Sequence, residues 1–322
     1  MTETMPRRLI KFGNSSYIIS LPKEWIDRHK LKKGDMIHIS ENVESELTLS
    51  PRSNAKKSEE NPITLIVDDK TTLEMQREIT SAYINNYTEI ILKGKSLETK
   101  KETINRIIGE KSGIEITDES PTQIVIRDIF DFESVSFEKI MRRLDNIIRS
   151  MFEELVIGLK GPTFKDWTFK ELYRADSGAN KIYFLLLKVI RKCQEDSNLM
   201  KKMKLNNKGV SDASWVVLQS EYIGDELKRI AKFLTQTPLK EKERKQLFNV
   251  IGVLQKEYLD TMNAYHRNDK LLAQKIANNK DNQVELCDKF FKASNHPLKG
   301  NITEKLKGIS GATMTVAKII AY

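Results

Sequence analysis

No stretch of this sequence approaches the roughly 20 consecutive apolar residues that a membrane-spanning helix needs. The N-terminus, MTETMPRRLIKFG, also lacks the apolar core of a secretory signal. Both absences point to a cytoplasmic protein. Cysteine is nearly missing too. Cys193 and Cys287 stand far apart with no second thiol at metal spacing, which excludes a disulfide framework and a cysteine-built metal site. The four histidines, His29, His38, His266 and His296, are scattered. There is no HExxH, no CxxC, no nucleophile elbow and no P-loop. With no nucleophile set beside a base, the sequence is not that of an enzyme.

Charge is what the sequence has in quantity. The 322 residues carry 54 Lys and Arg against 45 Asp and Glu, a net charge of +9. It is unevenly spread. Residues 1–33 hold eight basic side chains against three acidic ones, residues 61–133 nine against fourteen, and residues 134–322 thirty-four against twenty-two. A basic front end attracts polyanions.

Composition divides the chain. Residues 1–52 form a first unit. Residues 53–62 belong to SPRSNAKKSEENP, a polar, charged stretch with linker composition. Residues 63–133 alternate strand and helix signals. ITLIVDD, TEIILKG, IEITDES and TQIVIRDIF are predicted strands; TTLEMQREITSAYINN and SLETKKETINRIIGEKSG are predicted helices. This β-α-β-α-β-β order predicts a small α/β domain. From 134 to 322 the apolar spacing is helical throughout. It predicts six helices near 134–160, 166–198, 208–235, 240–267, 269–294 and 301–321, arranged as one or two antiparallel bundles. IGDELKRIAKFL from Ile223 aligns with ISGATMTVAKII from Ile309, which suggests two three-helix copies at about 134–238 and 239–322.

The front unit has the most specific pattern. RRLIKF alternates as a strand, GNSS makes a turn, YIISL is a second strand, PKEWIDRHK a short helix, LKKGD a turn, and MIHIS and ELTLSP are further strands. Such strands cannot bury both faces in one copy. Two chains interleaving into one barrel is the expected solution. The order of G-N-S-S-Y, L-P-K-E-W and L-K-K-G-D between strands resembles the AbrB/SpoVT swapped-hairpin DNA-binding domain over about residues 6–51. The resemblance implies an obligate dimer whose basic strand and loop meet DNA. Carried onto this sequence, the candidates are Arg7, Arg8 and Lys11 for phosphate or guanine, Asn14, Ser15 and Ser16 on the loop, and Lys23 at the helix start. The loop residues also make the turn. Some relatives use the barrel only to dimerise, so that alternative stays open.

The helices resemble a PhoU domain, a phosphate-signalling regulator of two three-helix bundles. The resemblance rests on SEYIGDELKRIAKF, ADSGANKIYFLLLKVI and HRNDKLLAQKIANNKDNQVELCDKF. The order barrel, α/β domain, PhoU-like helices is similar to that of archaeal phosphate-uptake regulators. In that family, carboxylates spaced i, i+4 on facing helices bind iron or zinc. Here Glu221, Asp225 and Asp176 match, while Asn180 stands where a fourth carboxylate is expected. In the second copy Asp281 and Glu285 match, but Lys307 and Gly311 replace their facing partners. Exposed i, i+4 charges on a helix need no metal, which leaves a solvated acidic face as the alternative. The resemblance thus implies a DNA-binding transcriptional regulator linked to phosphate uptake. The alternative is a cytosolic accessory protein of a phosphate transporter or its sensor, dimerised by the barrel.

Overall fold

A computed structural model describes residues 6–41, 47–51, 61–161 and 163–322, without the side chains of 40, 41 and 280–283. The chain divides into two compact units, 1–59 and 60–322.

In the first unit, β1 (Ile10–Phe12) and β2 (Ser16–Ile18) pair antiparallel, with Lys11 opposite Tyr17. The connecting turn opens at Gly13, whose φ of +69° is a conformation that disfavours any side chain. Pro22 precedes α1 (Lys23–Arg28), where a missing N–H costs nothing. The Lys32 amide then donates to Asp35 Oδ2 (2.6 Å), closing a turn in which Gly34 has φ +97°. That turn leads into β3 (His38–Glu41), paired antiparallel with β4 (Leu47–Ser50). The result is two separate two-stranded sheets. No described side chain of residues 6–51 is buried. Phe12 is 66% and Met36 79% exposed. So short a segment cannot enclose a core, and a lone hairpin is marginal in water.

The second unit starts with a four-stranded sheet. Its elements are β5 (Pro62–Ile66), α2 (Thr72–Ile84), β6 (Glu89–Lys93), α3 (Leu97–Gly109), β7 (Ile114–Ser120) and β8 (Gln123–Asp128). The strand order is β5-β6-β8-β7, with β5 and β6 parallel and the other pairs antiparallel. A parallel pair needs a crossover, and α2 supplies it. Thr71 and Glu74 form a reciprocal capping box that fixes where α2 begins. Ile79, Leu92, Ile104, Ile107 and Ile126 fill the core on one face of the sheet.

A short 3-10 turn, Phe132–Ser134, leads to the helices. They are α4 (Phe137–Lys160), α5 (Asp166–Glu195), α6 (Ser197–Lys202), α7 (Asn207–Gln236), α8 (Glu241–Arg267), α9 (Lys270–Ala277), α10 (Lys280–Ala293) and α11 (Lys299–Ala321). Helices α4, α5 and α7 pack on one another, and α8, α9 and α10 pack on α11. Contacts of α7 with α11 and of α4 with α8 join both sets around one continuous core. The two segments that align in sequence, from Ile223 and from Ile309, therefore lie on helices in direct contact. Gly224 sets how closely α7 meets α4: a Cβ there would lie 2.8 Å from Ile148 Cδ1. Arg244 at the start of α8 donates to the Leu159 and Lys160 carbonyls (3.1 Å each) and to that of Gly161, capping the C-terminus of α4.

Two helices differ from the sequence expectation. The helix predicted to reach 198 ends at Glu195, because the Asp196 side chain accepts from the Asn198 and Leu199 amides and starts α6. The helix predicted over 269–294 breaks at Asn278 and Asn279. Asn279 directs its side-chain amide to Glu257 Oε1 (3.1 Å) on α8. Among the described residues, no helix is long and apolar enough to cross a membrane.

Candidate nucleic-acid interface and an acidic cluster

The seven sequence-predicted DNA-facing residues fall on one small unit. Arg7 and Arg8 precede β1, Lys11 is its middle residue, and Asn14 and Ser15 form the tip of the hairpin. Ser16 opens β2, and Lys23 opens α1. All seven are exposed. Side chains alternate across a strand. Lys11 and its partner Tyr17 therefore project to one face of the hairpin. Ile10, Phe12 and Ile18 project to the other, and all three are exposed. The hairpin thus has two unlike faces, Lys11 beside an exposed Tyr17 on one and an uncovered apolar strip on the other.

The carboxylates predicted on the helices do come together, but around a lysine. Asp176 is buried on α5; Glu221 and Asp225 are one turn apart on α7. Lys228 Nζ lies 2.7 Å from Asp176 Oδ2 and 2.7 Å from Asp225 Oδ1. Asn180 Nδ2 donates to Asp176 Oδ2 (3.2 Å), and Arg229 Nη2 to Asp225 Oδ2 (2.8 Å). Three of the four oxygens of the two aspartates are thereby engaged.

The protonation of this group follows from burial and neighbours. Burial, with Asp225 and Asp176 close by, pushes the Glu221 carboxyl up to about 7 against the pull of Lys228 and Arg229. Burial also raises Asp176, although Lys228 pulls it the other way. Burial alone would lower Lys228, but its hydrogen bonds to Asp176 and Asp225 hold it above the ordinary lysine value. Sequence reasoning missed Lys228 and Arg229. Their signal was visible in GDELKR, where both follow Asp225 at helical contact spacing.

The second copy offers less. Glu285 pairs with Lys289 (2.9 Å) on the exposed face of α10, and Lys307 pairs with Asp288 (2.6 Å). The side chain of Asp281 lies outside the described residues. Among the described residues, no three His, Cys, Asp or Glu side chains gather closely enough to hold a metal ion. Iron or zinc, the metals that the family resemblance implies, do not fit the first cluster as it stands, because an ammonium lies between its aspartates.

A protein-family model described as antidote-toxin recognition MazE, bacterial antitoxin, matches residues 10–57. No curated protein and no solved structure matches the chain. The family match falls on the hairpin–helix–hairpin unit and on none of the sheet or helices that follow. Residues 10–57, at the front of a largely helical chain, are thus similar to the MazE antitoxin family.

Proposed function

We propose that this protein is a DNA-binding transcriptional regulator that dimerises through its N-terminal unit. The observation that carries the proposal is the two-faced β1–β2 hairpin within the segment matched to the MazE family. Its apolar strip of Ile10, Phe12 and Ile18 needs a second copy of the unit to cover it. Dimerisation then sets two copies of Arg7, Arg8 and Lys11 on one assembly, where they neutralise phosphates. Asn14 and Ser15 at the hairpin tip and Lys23 complete the contact surface, whereas Ser16, directly opposite Phe12, projects to the apolar side. The helical body acts as the sensing or relaying part. Its PhoU-like sequence segments link the regulator to phosphate uptake, with a phosphate transporter or sensor as a further partner.

The test is binding of the full-length protein to random and own-promoter duplex DNA over a salt series, beside an Arg7→Ala/Arg8→Ala/Lys11→Ala variant. The proposal expects salt-dependent binding that the variant loses and a tighter complex with the promoter. No binding at low salt, or a variant equal to the parent, overturns it.

A second reading follows from the description of the matched family, which names toxin recognition. On that reading the front unit neutralises a partner protein. Stable capture of a co-expressed toxin, with no promoter preference, favours it. If neither DNA nor toxin binds, the barrel is a dimer clasp and the protein an accessory regulator of a transporter.

A further inference from the structure

We infer that the cleft between α8 and α9 is a binding site for a small organic ammonium, a primary amine on a short aliphatic body, with Glu257 as its counter-charge. The site lies wholly in the second unit, so the inference holds whether or not the front unit binds DNA.

The cleft encloses about 590 Å³, a volume typical of small-molecule sites. Its walls come from α8, α9 and the break at Asn278 and Asn279. Val253, Leu272 and Ile276 make one side apolar. Glu257 supplies a charge that is only 9% exposed. Its Oε1 accepts from Asn279 Nδ2 (3.1 Å), while its Oε2 is buried with no hydrogen-bond partner among the described residues. The last torsion of a glutamate is soft, so a small turn of the carboxyl brings that free oxygen to the cleft.

Neither protonation state of Glu257 satisfies the group. Burial, with Asp260 close by, pushes the carboxyl up to about 7 against the hydrogen bond from Asn279. Ionised, Oε2 is an acceptor without a donor; protonated, it is a donor without an acceptor. A ligand ammonium meets the ionised form with a charge-assisted hydrogen bond. Asp260, three residues further along α8, offers a second acceptor on the same helix face. Water or a metal ion gains nothing from the apolar side, whereas an aliphatic body buries Val253, Leu272 and Ile276. Lys256 and Lys275 stand exposed around the cleft. Two sources therefore fit the same ammonium chemistry: a plain alkylamine, or an aliphatic amino acid whose carboxylate the two lysines meet.

The test titrates n-butylamine, L-leucine, n-butanol and butyrate into the full-length protein by calorimetry at pH 8, where Glu257 is ionised, and maps amide hydrogen exchange with each. The inference expects n-butylamine, leucine or both to bind with a Kd of about 1 mM or tighter. It expects n-butanol and butyrate, which share the aliphatic body but lack the ammonium, to bind at least about tenfold more weakly. Protection from exchange should fall on 253–260 and 272–279. Glu257→Gln keeps the shape of the side chain, removes an unpaired buried charge, and should weaken amine binding about tenfold. Equal binding of n-butylamine and leucine assigns a plain amine. Binding of leucine alone, weakened in Lys256→Ala/Lys275→Ala, assigns an amino acid. No binding of either amine, n-butanol binding as well as n-butylamine, or protection elsewhere overturns the inference, and so does a folded Glu257→Gln that binds like the parent. The parent arms decide without any variant, should the substitution disturb folding.

Discussion

Lys188 Nζ lies 2.5 Å from Asp128 Oδ2, an ion pair largely shielded from solvent between the C-terminal third of α5 and the end of β8. The lysine is fully buried, with its ammonium 4.5 Å from the Tyr83 ring centre and 3.4 Å from the Tyr83 carbonyl. Asn86 Nδ2 donates to the Lys188 carbonyl (3.3 Å) from the other side of the seam. Burial pushes the lysine below its ordinary value, against the raising pull of Asp128. The four-stranded sheet is thus fastened to the helices by a charge with no alternative solvation.

Removing one member of such a pair leaves an uncompensated buried charge. Asp128→Ala is expected to cost about 3–5 kcal/mol in urea unfolding. Lys188→Met retains the packing of the side chain and removes the fully buried charge, and it leaves Asp128, 11% exposed, with the Phe130 amide still donating to its Oδ1. It is expected to cost clearly less than Asp128→Ala. Equal costs for the two would show that packing, not charge, dominates the seam.

The Glu221 carboxyl makes stability depend on pH. Its pKa rises from 4.5 in the unfolded chain to about 7 in the fold, through burial and the neighbouring Asp225 and Asp176. Its contribution is fully present below pH 4.5 and is lost as pH rises to about 7, because only the unfolded state ionises freely in that window. Glu221 is partly exposed, so solvent reduces the effect to about 1 kcal/mol. Glu221→Gln should match the parent at pH 4 and exceed it in stability at pH 8. The difference between the two proteins isolates this group from Asp145, whose pKa is lowered by His266 and Arg149 against the opposing effect of burial.

Much of this architecture is legible in the sequence, and the exceptions have local causes. TEIILKG, IEITDES and TQIVIRDIF each contain a strand of the sheet and ITLIVDD covers all of β5 but Pro62, because apolar alternation is a direct consequence of one buried sheet face. The strand order was not readable, since it depends on which edges β7 and β8 find. The helix ends at Asp196 and at Asn278 escaped periodicity, because side-chain caps and turns decide them. The carboxylate cluster was visible as i, i+4 spacing. The lysine that fills it was in the same helix but went unread, since a search for ligands does not weigh the cations one turn away. Lys188 was hidden among LLLKVI, where a charged residue in an apolar run signals a buried pair only when its distant partner is known.

The uncovered strip on β1 and β2 gives a prediction about assembly. Phe12 is 66% exposed, beside the exposed Ile10 and Ile18. Phe12→Asp places a charge where a second copy has to pack, so it should convert a dimer to a monomer in light scattering. Lys11→Ala, on the opposite face, should leave the dimer intact. A monomeric parent, or a dimer that survives Phe12→Asp, removes the hairpin from the assembly surface.

Gly224 provides the last test, of how the helices are spaced. A Cβ at this position would lie 2.8 Å from Ile148 Cδ1 and 3.5 Å from Met151 Sδ, so α7 and α4 touch where only glycine fits. Alanine ordinarily strengthens a helix interior by up to about 1 kcal/mol over glycine. Here the clash acts in the opposite direction, because close-packed cores yield little to added volume. Gly224→Ala should cost about 1–3 kcal/mol net. Combining it with Ile148→Val removes the obstructing methyl group and should recover part of that loss, so the two changes should be non-additive in a double-mutant cycle. A stabilising Gly224→Ala would mean that the helices move apart freely, and that the close approach of α7 to α4 is not what holds this part of the core.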